Sequence, residues 1–506
     1  MIYFLSDIVV HPLLDALRVK TGFEIRDFYT EDLVSSILKL EEETFAKDDI
    51  LLIHSDQYFH RKGTEWQNQF LNALNQLANV LKCKIIITNM FAFSYQSASV
   101  SKSKGRLYDI FEQQSSKVNA LLEYSNLFLF DFIGVCTQIG FESSYNFNLG
   151  HLYQMPYTKP LIIRLADEIG EYINWLLMEE KKVIVLDCDN TLWGGILGEV
   201  GVDKIRCDRN SEGIVYFQLQ TFLKEKLKEG FLLTLCSKNN EEEVISAFES
   251  KNMPLNWDDF IVKKVNWNDK WQNIQEIADE LNLGVNSFIF IDDNQFELNS
   301  VKQIYNEINV FLMKPDIGVL NAITKSYIFR RKNILDDDLN KTQQYKIEQV
   351  RKTLAEKSTS FDEFIKKLEI KMDIRLNDLN DLERLSQMTG KTNQFNFNKR
   401  EFTVDELKEF IESGNRVYSL KVSDKFGDYG TVGLILLELK NRNAILENYL
   451  MSCRALGKGI ENDFFNEVIT KLKADNLNLT EIKFVKTKRN EPAQNFLKEH
   501  KYEYSN

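Results

Sequence analysis

No two of the six cysteines, Cys83, Cys136, Cys188, Cys207, Cys236 and Cys453, stand in a CxxC pair. Thiols scattered in this way argue against a zinc site and imply the reducing environment of a cytoplasm. No apolar run approaches the roughly 18 residues that a membrane span needs. The opening MIYFLSDIVV has no basic stretch ahead of its apolar residues, so a signal peptide is not expected. Lysine and arginine are not in excess: the formal net charge is −12, which argues against broad nucleic-acid binding. Internal repeats and low-complexity tracts are also missing. What remains is the composition of a soluble globular protein, 43% hydrophobic and 27% charged. At 506 residues it is too long for one core, and three domains are expected.

The stretch VIVLDCDNTLWGGILGE, residues 183–199, carries the most chemistry. Val183 to Leu186 read as a buried strand. Asp187 and Asp189 follow at i and i+2, and strand alternation would bring both carboxylates to one side. Like charges held that close need a proton or a cation between them, and hard oxygen ligands suit Mg²⁺. Such a pair also offers a carboxylate nucleophile and a second carboxylate to move a proton. The DxDxT pattern, ending in Thr191, resembles the first motif of the haloacid dehalogenase (HAD) superfamily of phosphoryl-transfer enzymes.

Further elements follow in the order this resemblance implies. Ser237 closes the apolar run Phe231 to Cys236 and could hydrogen-bond a phosphoryl oxygen. Lys270 opens a helical pattern and could neutralise the nucleophile. The run SFIFI, residues 287–291, ends in Asp292 and Asp293, which would complete the metal shell; which of the two leads is left open by their adjacency. The resemblance implies Mg²⁺ held by Asp187, the backbone carbonyl of Asp189 and the Asp292/Asp293 pair.

Ahead of this region, IYFL, DDILLIH, KIIIT and NLFLFD alternate with amphipathic stretches, among them 31–45, 66–81 and 107–124. Alternation of this kind implies a parallel sheet with ligands at strand C-terminal ends. Ser6-Asp7, His54-Ser55-Asp56 and Asn89 lie at such ends, and His151 closes the segment. The arrangement is similar to the SGNH-hydrolase fold, where a serine after the first strand and a late histidine cleave esters. Leu5 replaces the motif's glycine, and Asn148 replaces the aspartate that would orient His151. A degenerate site without esterase activity is therefore expected.

A highly polar segment, 329–360, reads as a charged helical connector. Beyond it, strand-like runs lead into Arg454-Ala455-Leu456-Gly457-Lys458-Gly459 and a helical pattern. A glycine-bearing loop opening a helix offers N–H groups and a positive dipole end to phosphate. Its RxxGxG form resembles the pyrophosphate loop of GNAT acetyltransferases, which implies coenzyme A or a phosphopantetheine arm bound by Arg454, Gly457 and Gly459.

The fold class expected is therefore α/β, in three domains. These are a flavodoxin- or SGNH-like three-layer sandwich at 1–165, a HAD-like Rossmannoid at 166–328 and, after the connector, a GNAT-like α+β domain at 361–506. The phrases DCDNTLWGGILGE, FIDDNQFE, LSQMTGKTNQFN and MSCRALGKGIE resemble the FkbH-like proteins, subfamily IIIC of the HAD enzymes. That resemblance implies dephosphorylation of a small phosphorylated substrate such as 1,3-bisphosphoglycerate, with glyceryl transfer to an acyl carrier protein thiol. It implies Asp187 as nucleophile, Asp189 as acid and base, and Ser237 and Lys270 as charge stabilisers. An acyl-accepting thiol is also required. Cys453, beside Arg454, has the more favourable electrostatics; Cys188 stands between two acids, which raise a thiol pKa. A basic run, Lys483, Lys486, Lys488 and Arg489, would meet an acidic carrier. Two other readings stand beside this one: a phosphatase acting on a sugar or other small phosphate ester, and a carrier-binding scaffold. Neither nucleic acid nor membrane is expected as a partner.

Overall fold

The computed structural model describes residues 1–56, 64–88, 124, 126–210, 212–332, 347, 351, 354, 360–453 and 455–500. Asn89, Arg454, most of the stretch 107–124 and most of the connector 329–360 lie outside the described residues. The chain divides into two compact units, Met1–Met178 and Glu179–Asn506. It is a mixed α/β protein, with parallel sheets in the first unit and in the first part of the second, and a largely antiparallel sheet after them.

The first unit is built on β1 (Ile2–Ser6), β2 (Ile25–Tyr29), β3 (Ile50–His54), β4 (Lys84–Thr88) and β5 (Leu127–Phe130). They form an all-parallel sheet in the order β2-β1-β3-β4-β5. Every residue of β3 is buried, as an apolar, β-branched run covered on both faces should be. The edge strand β2 buries only Ile25 and has no sequence periodicity to announce it. Helix Lys159–Leu177 packs against helix His11–Thr21 in this unit, so the expected boundary at 165/166 falls inside a continuous helix. The order reverses between β1 and β3, which puts a crevice outside their C-terminal ends.

The second unit begins with β6 (Val183–Leu186), β7 (Leu232–Ser237), β8 (Phe260–Val265), β9 (Phe288–Asp292) and β10 (Asn309–Leu312). These are parallel in the order β10-β9-β6-β7-β8. All four side chains of β6 are buried, and burying each stabilises the fold by about 1.5–3 kcal/mol relative to exposure. Its neighbours on either side are β9 and β7, so the chain segments leaving β6, β7 and β9 emerge together at one sheet edge.

The remainder folds around β11 (Lys371–Leu376), β12 (Phe395–Asn396), β13 (Arg416–Asp424), β14 (Gly427–Lys440), β15 (Asn443–Met451) and β16 (Asn478–Ile482). The order is β11-β13-β14-β15-β12, with β16 also on β15. Both β12 and β16 pair with the same edge of β15. The parallel β16 covers Asn443 to Leu446, and the antiparallel β12 covers Leu450 and Met451. A bond from Val485 N–H to the Phe397 carbonyl, 2.8 Å, closes the seam between them. Ion pairs join this sheet to the preceding one: Lys391 reaches the buried Glu180 at 2.9 Å, and at the surface Arg489 reaches Glu179 at 2.6 Å.

Candidate active site

Strand β6 ends at Leu186, and the chain turns at once. The Cys188 carbonyl accepts from the N–H groups of Thr191, Leu192 and Trp193. Asn190 sits at φ 52°, a left-handed conformation that asparagine tolerates better than most residues. Gly195, at φ 106°, donates its N–H to Asn190 Oδ1 at 3.0 Å. The turn keeps Asp187 at the sheet edge and sends Asp189 away into a pocket of donors of its own. Strand alternation alone does not describe it.

Lys270 is the first residue of helix Lys270–Leu281. Its Nζ lies 2.9 Å from Asp187 Oδ1 and 2.6 Å from Asp292 Oδ2, and all three side chains are buried. Burial alone would lower the Lys270 pKa, but the two carboxylates outweigh it and hold the ammonium above its ordinary value. Asp292 is pushed the other way for an acid, up to about 7, by burial first and then by the charge of Asp187, with Lys270 opposing. Asn294 N–H donates to its Oδ1 at 2.8 Å. Asp293, less buried, is raised by burial and Asp187 and takes a side-chain hydrogen bond from Asn190. The adjacent acids thus both belong to the site: Asp292 is the one locked to Lys270, and Asp293 shares Asn190 with the turn.

One oxygen from each of Asp187, Asp292 and Asp293 lies within 4.8 Å of the others. Three carboxylates supply hard oxygens of the kind Mg²⁺ takes, and an acid with its pKa lifted by a neighbouring charge is one that a cation would relieve. The residues fit that ion. The Asp189 side chain is outside this trio, and each of its oxygens has hydrogen-bond donors of its own. Oδ1 accepts from Trp193 Nε1 at 2.9 Å and Leu197 N–H at 3.1 Å, and Oδ2 accepts from Asn239 Nδ2 at 2.9 Å. Burial raises the Asp189 carboxyl pKa against the pull of these donors, the direction that suits a proton carrier.

Ser237, the last residue of β7, is buried and within 3.5 Å of Asn239 Nδ2. It is also hydrogen-bonded to Cys188, whose fully buried thiol has its pKa raised by desolvation and then by Asp187. The Thr191 hydroxyl is buried without a hydrogen-bond partner. Trp193 and Asn239 were not among the residues expected from sequence. Asn239 stands 50 positions from Asp189, and no local pattern links the two.

Cys453 is partly exposed and packs against the apolar core beneath β6 and β9. Its carbonyl accepts from Asn282 Nδ2 at 3.3 Å. Lys182 is close enough for the two to interact electrostatically, although burial is what chiefly lowers the lysine's pKa. In the loop that follows, Gly457 and Gly459 have φ of 74° and 77°, which favours glycine at both. The loop does not present all its N–H groups outward: Gly457 N–H is hydrogen-bonded to the Glu461 carboxylate. Glu461 Oε2 and Gln394 Oε1 are buried without partners, and both residues line a cavity of about 320 Å³ together with Leu456, Gly457 and Phe496. In the basic run, Lys483 is paired with Glu447, and Arg489 with Glu179 and Glu307; Lys486 and Lys488 are exposed.

In the first unit, Ser6 spends its hydroxyl on the Ile8 carbonyl at 2.6 Å, and His151 is exposed on the short helix Phe147–Tyr153. The buried imidazole is instead His54, with Nδ1 2.9 Å from Thr88 Oγ1 and Nε2 2.5 Å from the Tyr157 hydroxyl. Tyr157 and Tyr145 each donate to Asp56 Oδ2 at 2.8 Å, and Ser55 donates to Asp7 at 2.6 Å. The structure joins Asp7, after β1, with the end of β3 and the residues that follow it, His54, Ser55 and Asp56, and not Ser6 with His151.

No protein-family model matches the chain, and no curated protein matches it. Among solved structures it is similar to the N-terminal part of the protein BF1531 from Bacteroides fragilis, which contains a phosphatase domain complexed with Mg. The TM-score is 0.55 at 21% identity, covering 66% of this chain and 94% of that one. This likeness is one of fold, an α/β architecture. Two acetyltransferases match at scores too low to carry weight. One is the aminoglycoside N-acetyltransferase AAC(6')-Iy with CoA, at TM-score 0.21 and 13% identity over 27% of this chain and 91% of that one. The other is a glucosamine N-acetyltransferase region of a fungal β-N-acetylglucosaminidase, at TM-score 0.18 and 10% identity over 96% and 60%. Among the described residues, no helix is long and apolar enough to cross a membrane.

Proposed function

We propose that the chain is an Mg²⁺-dependent phosphatase of the HAD type, similar to the FkbH-like proteins, acting on a small phosphorylated metabolite. The observation that carries this reading is the buried lysine held between Asp187 and Asp292, with Asp293 completing a carboxylate trio. A structural ion pair needs one acid per lysine. Asp187, Asp292 and the less buried Asp293 outnumber the single ammonium, and the net negative charge they leave is what a divalent cation would balance, readying the site for an anionic phosphoryl group. When bound there, Mg²⁺ would supply charge neutralisation for the phosphoryl oxygens.

The chain's own groups account for the rest. A carboxylate oxygen of Asp187 attacks phosphorus, and the bond from phosphorus to the leaving oxygen breaks. Asp189 gives that oxygen a proton. Asp189 then takes a proton from water as the water attacks phosphorus, and the aspartyl phosphate opens to free Asp187 and inorganic phosphate. Lys270 and Ser237 stabilise the charge on the phosphoryl oxygens through both transfers.

The fuller form of the reading includes acyl transfer. The Cys453 thiolate attacks the acyl carbon of 1,3-bisphosphoglycerate, expelling inorganic phosphate and leaving a 3-phosphoglyceryl thioester. Removal of the remaining phosphate gives a glyceryl thioester, which exchanges onto the thiol of a carrier's phosphopantetheine arm. Partial exposure at the edge of the β6–β9 core supports Cys453; full burial and a raised thiol pKa count against Cys188. Intact-mass measurement after incubation with 1,3-bisphosphoglycerate is the test. An acyl adduct lost in Cys453→Ala and kept in Cys188→Ala supports the transfer. Phosphate release without any adduct leaves the phosphatase alone.

A further inference from the structure

Asp189 is the group that must give and take the proton, and the structure divides its two oxygens between different kinds of donor. Oδ1 is held by Trp193 Nε1 and Leu197 N–H. Both donors are fixed in place. The Trp193 ring is fully buried and sits edge-on to Phe248, with centroids 5.6 Å apart, and Leu197 offers a backbone group. Two donors saturate the two lone pairs of Oδ1. Oδ2 receives one donor, Asn239 Nδ2 at 2.9 Å, which leaves it one lone pair for a proton. Asn239 is itself buried, and the next residue, Asn240, caps helix Glu241–Ser250 through its side chain, so its backbone is anchored.

We propose that Asn239 is a positioning residue for proton transfer, holding Asp189 Oδ2 as the oxygen that carries the proton to the leaving group. This rests on the phosphatase reading above and goes beyond it by assigning which carboxylate oxygen acts and what aims it. With Asn239 in place, rotation of the carboxylate about its Cβ–Cγ bond is stopped from both ends. Without it, Oδ1 remains pinned while Oδ2 is free to tilt. A misplacement of about 1 Å at a reacting group can cost about 10²-fold in rate.

The consequence depends on the leaving group. A p-nitrophenolate departs without a proton, whereas a phenolate or an alkoxide needs one as the bond to phosphorus breaks. The experiment measures kcat/KM in Mg²⁺ for p-nitrophenyl, phenyl and propyl phosphate, with the full-length wild type, Asn239→Ala and Asn239→Ser. General acid catalysis contributes about 10²–10⁴-fold, so losses of about 10-fold or more are expected on phenyl and propyl phosphate, against about 3-fold or less on p-nitrophenyl phosphate. In an Asp189→Asn background, Asn239→Ala should add no further dependence on the leaving group. A loss of equal size across the three esters, or a leaving-group effect that persists without Asp189, would overturn the assignment. A wild type that hydrolyses none of the three would instead overturn the phosphatase reading beneath it. Asn239→Ser serves if Asn239→Ala fails to fold, since its shorter hydroxyl cannot span the gap yet leaves a smaller hole.

Discussion

Lys270 Nζ stands 2.6 Å from Asp292 Oδ2, a contact between the first residue of one helix and the last of a strand 22 positions on. It joins two elements that had to be found separately in the sequence. It also fixes the charge balance of the site, since Asp187 shares the same ammonium.

Removing that ammonium should cost both activity and stability. Lys270→Ala leaves Asp187 and Asp292 buried without their cation, and breaking a buried pair from one side costs about 3–5 kcal/mol. A lower melting temperature is expected, partly restored by Mg²⁺, along with phosphate-ester turnover reduced by about 10²-fold or more. A variant that melts like the wild type would mean that the three side chains are not coupled as described.

Metal binding should depend on pH through Asp292. Its folded-state pKa, about 7 without metal, lies above the ordinary carboxyl value. From about pH 4 to pH 7 the folded chain therefore binds more protons at this group than the unfolded chain does, so this group's contribution to stability falls as pH rises through that window. Mg²⁺ competes with the same proton and is favoured once it has gone. The rise in melting temperature produced by a fixed Mg²⁺ concentration should thus be larger at pH 8 than at pH 6. A larger rise at pH 6 would contradict the assignment of Asp292 to the metal site.

How much of this was legible depends on whether the signal was local. Strand β6 and its two aspartates could be read because a β-branched run and a DxDxT turn lie within nine residues of chain, 183–191. Strand β2 could not, because an edge strand exposing four of five side chains has neither alternation nor an apolar run. Adjacency in sequence hid the roles of Asp292 and Asp293, which only the positions of Lys270 and Asn190 separate. The Trp193 and Asn239 contacts to Asp189 arise from the fold of a turn and from a neighbouring strand, and no residue spacing encodes them. At Gly457 the pattern of a phosphate loop was legible, but the carboxylate that takes its N–H, four residues on, was not.

The polar network of the first unit should behave as structure. Tyr157→Phe removes a buried hydroxyl that donates to Asp56 and lies 2.5 Å from His54, and leaving such groups short of a partner costs about 1–3 kcal/mol. Ser6→Ala, by contrast, should leave short-chain ester hydrolysis at the level of a buffer blank, as in the wild type. Ester hydrolysis that vanishes with Ser6 would restore a catalytic role to that serine.

The most direct test of the whole account is phosphate release from p-nitrophenyl phosphate and acetyl phosphate, with and without Mg²⁺, by the wild type and Asp187→Asn. The account predicts turnover that EDTA abolishes and excess Mg²⁺ restores in the wild type. It predicts turnover lost by about 10³-fold or more in Asp187→Asn, a neutral near-isostere with no nucleophilic carboxylate, while the circular dichroism spectrum stays that of the wild type. Mg²⁺-dependent turnover that survives in Asp187→Asn at near the wild-type rate would contradict it.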